Sequence, residues 1–110
     1  MLLLPDGTRL ALARATVVGR APRPQHDVAT LVLADPTRSV SRDHALLEPA
    51  NHGLSVTDLD SGNGTTVMTP DGTTLPLVPG RAQEAPRGTV IALGDLLLTV
   101  EDPADGGRTW

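Results

Sequence analysis

The chain has 110 residues, 39% of them hydrophobic, a net charge of -4 at pH 7, and no Cys, Phe or Tyr. That length fits one domain around one core, the charge argues against a general nucleic-acid surface, and the missing Cys excludes disulfides and thiolate metal sites. No apolar run approaches the roughly 18 residues of a membrane-spanning helix, and Met1-Leu2-Leu3-Leu4 lacks the charged front of a signal peptide, so a soluble, cytoplasmic protein is expected.

Gly (11) and Pro (10) recur too often for helices of useful length. Short apolar stretches separated by turn residues occur instead, at 10–12, 16–18, 30–33, 44–47, 54–59, 65–68, 75–78, 89–93 and 96–100. Many short strands at this spacing predict an all-β sandwich or barrel, packed almost wholly by Leu, Val, Ile and Ala. Pro5-Asp6-Gly7-Thr8 precedes the first stretch, and a near copy, Pro70-Asp71-Gly72-Thr73, precedes the seventh. Pro presets φ, Asp bonds to the backbone ahead of it, and Gly takes positive φ without steric cost. Each is a hairpin signal, read as one turn chemistry chosen twice.

Segments 20–29 and 34–43 are polar and read as loops. Residues 1–101 read as one domain without an internal linker, and 102–110 as a flexible tail. Trp110, the single aromatic residue, reads either as native or as an addition that permits ultraviolet quantification. All nine basic residues are Arg, as a GC-rich bacterial coding sequence would give. Six of them stand against four Asp in residues 1–44, and three against nine acids from 45 onward. Most of the anion-binding capacity therefore lies in the first part of the chain.

Three short motifs follow one another: Gly19-Arg20, Ser41-Arg42-Asp43-His44 and Asn63-Gly64-Thr65. Each lies where an apolar strand meets a loop, and loops at one end of a sandwich converge. Two guanidinium forks, a hydroxyl and a carboxamide would then face one small anion. A phosphate carries about -1.5 to -2 charges and three strong acceptor oxygens. Arg meets that geometry with paired, charge-assisted hydrogen bonds that Lys cannot reproduce. Asn offers a donor and an acceptor together, which suits an extended peptide backbone.

Other chemistries fit poorly. Ser41 and His44, three apart and leading into a strand, point mostly to opposite faces, and no Gly-x-Ser-x-Gly elbow is present. His26, His44 and His52 lack metal-ligand spacing. Asp58-x-Asp60 begins like a calcium loop, but Gly62 and Thr69 fall where ligands belong. Gly62-Asn63-Gly64 is followed by Val67 where a dinucleotide fingerprint wants Gly or Ala. No enzyme activity, metal or cofactor is expected. Arg23 and Arg38 read as ordinary solvated side chains, with a secondary role against acidic residues of a peptide as the alternative.

In this order and spacing the three motifs resemble the signature of the forkhead-associated (FHA) domain family, bacterial type. Val56-Thr57-Asp58-Leu59, the stretch from Leu77 to Gly80, and Ile91-Ala92-Leu93-Gly94-Asp95 extend the similarity over roughly residues 8–101. The resemblance implies a β-sandwich of about eleven strands whose apical loops recognise phosphothreonine peptides in Ser/Thr kinase signalling. Arg20 and Ser41 would contact the phosphate, Arg42 would add a further contact, and Asn63 would hold the peptide main chain. His44 would brace the loops, while Gly19, Gly64 and Thr65 would support the site's backbone. Where many members carry a Thr or basic side chain just before the Asn, this chain has Gly62, so any contact there would come from its backbone N–H. The implied partner is a phosphothreonine-containing protein, a Ser/Thr kinase or its substrate, with no nucleic acid and no direct membrane contact. The rival reading is a phospho-independent scaffold or dimerisation module on the same sandwich.

Overall fold

A computed structural model describes residues 1–101. The expectations for 102–110, the flexible tail and Trp110 included, lie outside the described residues. The described chain forms eleven strands and no helix: β1 (Leu2–Leu3), β2 (Arg9–Leu10), β3 (Thr16–Gly19), β4 (Ala29–Val32), β5 (Ala45–Ala50), β6 (Gly53–Asp58), β7 (Thr65–Met68), β8 (Thr74–Pro76), β9 (Gln83–Pro86), β10 (Val90–Leu93) and β11 (Leu96–Val100). No helix there is long and apolar enough to cross a membrane.

The strands form a six-stranded sheet, ordered β2-β1-β11-β10-β7-β8, and a five-stranded sheet, ordered β4-β3-β5-β6-β9. All pairings are antiparallel except β3 with β4. Period-two alternation sorts the side chains: along β6, Leu54, Val56 and Asp58 are buried while Gly53, Ser55 and Thr57 are less so. The core between the sheets is aliphatic, with Leu2, Val18, Leu47, Val56, Val67, Ile91, Leu93 and Leu98 fully enclosed.

Two strands escape the sequence pattern. β1 has only two residues, too few to show a period, yet Leu2 sits fully buried opposite Val100. β9 is a polar edge strand in which Ala85 alone is buried, opposite Leu54 on β6. The two Pro-Asp-Gly-Thr segments are indeed the same turn. Leu4 N–H donates to the Thr8 carbonyl and Thr69 N–H to that of Thr73, both at 2.8 Å, and Gly7 and Gly72 both have φ +92°.

The site end of the sandwich follows from strand direction. β3, β4, β6 and β10 all run toward it, and their exits at Arg20, Leu33, Leu59 and Gly94 meet there with the entries to β5 and β7. We call this the apical end.

Candidate functional site

The apical loops are held by bonds between loops. At Gly19 a Cβ would lie 1.8 Å from the Arg42 carbonyl oxygen, so only glycine lets β3 approach the 41–42 backbone this closely. That approach is used: Arg20 N–H donates to the Ser41 carbonyl at 3.0 Å, and Ala21 N–H to that of Arg42 at 3.4 Å.

His44 is wholly buried and bridges two loops. Its Nδ1 accepts the Ser41 N–H at 3.0 Å, so Nε2 carries the proton and donates to the Gly64 carbonyl at 2.9 Å. The ring thus addresses the Ser41 amide and not its hydroxyl. That hydroxyl oxygen instead accepts the Gly62 N–H at 3.0 Å. Gly64 takes φ +80°, and Gly94 N–H returns to its carbonyl at 3.1 Å.

Asp58 anchors the 59–64 loop from below. It is 1% exposed and accepts the Ser61 N–H (3.1 Å), the Ser61 hydroxyl (2.5 Å) and the buried Thr65 hydroxyl (2.6 Å). Burial pushes its pKa up, but the hydrogen bonds from Ser61 and Thr65 outweigh that and hold it below the usual carboxylate value. These bonds occupy both carboxylate oxygens, which is where a calcium loop would need them free.

A second network organises the 33–44 segment. Asp95 N–H donates to Ser39 Oγ at 2.8 Å, which leaves that hydroxyl to donate to Thr37 Oγ1 at 2.6 Å; the Thr37 hydroxyl in turn donates to Asp35. Asp35 also accepts the N–H groups of Thr37 (3.1 Å) and Val40 (2.7 Å). Asn63 Nδ2 donates to the Ser39 carbonyl at 2.9 Å, so Ser39 joins three loops. Thr37, Arg38, Ser39, Asn63, Gly94 and Asp95 line a depression of about 360 Å³ beside it.

The structure therefore brings together Gly19, Arg20, Ser41, Arg42, His44, Gly62, Asn63, Gly64 and Thr65. Two expectations change in detail. Gly62 N–H is engaged by Ser41 Oγ, so it acts on that hydroxyl and does not stand free for a ligand. Arg23 is not simply solvated: its N–H and Nε hold Asp43 at 2.9 and 3.1 Å, which ties the 20–28 segment to the Ser-x-x-His turn. Sequence reasoning passed over Ser39 and Asp43. The Asp35-Pro36-Thr37 turn carried a signal, since Asp and Thr cap turns through their own side chains. Ser39 carried none, because its partners at Asn63 and Asp95 lie on other strands' ends.

Arg20, Arg38 and Arg42 are exposed, and their side chains have no ion-pair or hydrogen-bond partner among the described residues. Near them stand a hydroxyl whose oxygen already accepts a bond and a carboxamide with one N–H and its oxygen uncommitted. Guanidinium groups and a hydroxyl of this kind are able to meet an anion, and a carboxamide to meet a peptide backbone.

A family model described as FHA domain matches residues 16–94. Among solved structures, the FHA domain of human APLF, in complex with an XRCC1 bisphospho peptide, is 26% identical (TM-score 0.69), with 93% of this chain and 96% of that one covered. The FHA domain of CT664 from Chlamydia trachomatis is 28% identical (TM-score 0.68), with 94% and 96% covered. A structure from work on phosphothreonine-dependent FHA domain interactions is 27% identical (TM-score 0.63), with 93% and 94% covered. Among curated proteins, none matches significantly.

Proposed function

This chain belongs to the FHA domain family, and we propose that it is a phosphothreonine-dependent interaction module whose apical loops bind the phosphorylated residue of a partner protein. The observation that carries this reading is the Ser41 hydroxyl. Its oxygen accepts Gly62 N–H at 3.0 Å, which leaves its proton to donate, and it lies between two exposed Arg whose side chains have no partner among the described residues: Arg42, next in the chain, and Arg20, whose N–H bonds to the Ser41 carbonyl. Arg20 and Ser41 bind the phosphate oxygens through charge-assisted hydrogen bonds, and Arg42 adds a further contact. Asn63, anchored by one N–H on Ser39, uses its other N–H and its oxygen on the peptide main chain. His44, Gly19, Gly64 and Thr65 position these groups.

The role assigned is binding without catalysis. A phosphothreonine ligand requires a Ser/Thr kinase upstream, so the module serves kinase signalling, in the cytoplasm. The contact is small, and an affinity near the micromolar range, about -8 kcal/mol, is expected.

Titration with a degenerate peptide library in phosphothreonine, phosphoserine and unmodified Thr forms tests the reading. Binding confined to the phosphothreonine form is expected. Equal binding to all three would favour a phospho-independent scaffold. Arg20→Ala should weaken phosphopeptide binding at least about 100-fold, the loss of roughly two charge-assisted hydrogen bonds, with an unchanged melting curve. Wild-type binding by that variant would remove Arg20 from the site.

A further inference from the structure

The two sheets have four edges, and three of them are blunted. β2 has two residues and carries Arg9, paired with Glu101 at 2.8 Å. β8 ends in Pro76, and β9 carries Glu84 and Pro86. Shortness, charge and proline discourage a free edge from pairing with another chain. β4 has none of these devices: Ala29-Thr30-Leu31-Val32 is uncharged, proline-free and includes two β-branched residues.

Among the described residues no strand pairs with the outer side of β4. The N–H groups of Ala29 and Leu33 donate inward to the carbonyls of Ala15 and Gly19, at 3.0 and 2.8 Å. Strand alternation therefore turns the N–H and C=O of Thr30 and Val32 away from β3. Both residues are exposed, Val32 at 65%, and among the described residues β4 pairs only with β3. Because β3 and β4 run parallel, this edge leads to the apical end. Leu33 bonds to Gly19, the next residue is Arg20, and Arg20 bonds to Ser41.

We propose that β4 receives an additional strand from the same partner that carries the phosphothreonine: an uncharged, extended segment rich in β-branched residues, close in sequence to the phosphorylated one. This rests on the phosphothreonine reading of the apical loops. The four outward backbone groups of Thr30 and Val32 supply main-chain hydrogen bonds, and their side chains pair with alternate residues of the added strand. A second copy of the chain fits less well. The two-fold antiparallel register that engages all four groups sets Thr30 against Val32 and, carried outward, Asp27 against Asp35, and facing like charges are destabilising.

The test compares a short phosphothreonine peptide with versions extended on either side by about six uncharged, β-branched-rich residues, a usual strand length. Each is titrated onto the wild-type chain and onto Thr30→Pro and Val32→Pro. Proline at these positions removes an outward amide but no ladder bond to β3, and short-peptide affinity reports that the fold is intact. One extended peptide should bind roughly tenfold tighter than the short one, and both variants should lose that gain while keeping short-peptide affinity. N-methylation along the extension should abolish the gain at alternate positions only. Short-peptide binding with no gain, or a gain that survives both prolines, overturns the strand proposal alone. Failure of every phosphopeptide to bind overturns it together with the phosphothreonine reading. Dimerisation of the free chain that Val32→Pro abolishes would assign the edge to a second copy, and so overturn it too.

Discussion

The two Pro-Asp-Gly-Thr turns and the apical loops use the same chemistry, hydrogen bonds between side chains and backbone, over different distances along the chain. In the turns Asp6 accepts the Thr8 N–H at 2.8 Å and Asp71 the Thr73 N–H at 2.9 Å, so every bond closes within four residues. In the loops Gly62 reaches Ser41 across 21 residues, Asn63 reaches Ser39 across 24, and Asp95 reaches Ser39 across 56. A turn of the first kind survives wherever its four residues are placed. The second kind exists only when the strands beneath it are paired, so damage to one loop should spread to the others.

The contrast breaks most visibly at glycine. Gly19→Ala places a Cβ 1.8 Å from a backbone oxygen, with no flexible side chain to move aside. It should cost about 3 kcal/mol or more in chemical denaturation and disturb both Arg20 and Ser41. At Gly7 and Gly72, by contrast, a Cβ would meet nothing within 4 Å, although φ is +92° at both. Gly7→Ala and Gly72→Ala should each cost about 1 kcal/mol, the strain of a positive φ, equally at the two turns and without change at the apical end. Unequal costs would show that the turns are not energetically alike.

Asp58→Asn should fall between these. It removes a charged acceptor from the Ser61 and Thr65 hydroxyls and brings amide protons to face their donors, for a loss of about 2 kcal/mol at pH 7. Because the folded-state pKa of Asp58 lies below its usual 3.8, its ionisation stabilises the fold above that value, and this contribution is lost as pH falls through the folded pKa. Denaturation curves of wild type and variant should therefore converge as pH drops below 3.8. A constant gap would refute the role of the charge.

The smallest effect separates the two turns from each other. Thr69 stands where the first turn has Leu4, and its hydroxyl bonds to Asp71 at 2.5 Å. That bond, with the Thr73 N–H, holds the Asp71 carboxyl down to about 2. Thr69→Val should raise the Asp71 midpoint toward 3.8 in an NMR titration and leave Asp6 where it is.

Much of the fold was legible because it is local. Nine apolar stretches with turn residues between them announced a sandwich, and all nine overlap strands. β1 and β9 were not legible: one is too short to show a period, and the other is a polar edge whose sole buried residue, Ala85, is identified only by its partner Leu54. At the site, Arg20, Ser41, His44 and Asn63 stood out as motif residues. Asp43, which pins Arg23, and Ser39, which joins three loops, did not, since the bonds that give them these roles, from Arg23 to Asp43 and from Asn63 and Asp95 to Ser39, span twenty or more residues.

By itself, then, the sequence determined the strand-and-turn plan and the set of side chains able to meet a phosphate, because alternation, turn chemistry and residue type act over a few positions. Only the tertiary structure decided which of those groups are already engaged and which are free. Among the described residues it gives Gly62 N–H to Ser41 and Arg23 to Asp43, leaves the Arg20 and Arg42 side chains without a partner, and leaves β4 the one uncharged, proline-free edge of four. The physical reason is that a hydrogen-bond partner twenty or more residues away is chosen by which strands pair and in what register, and no local stretch of residues encodes that choice.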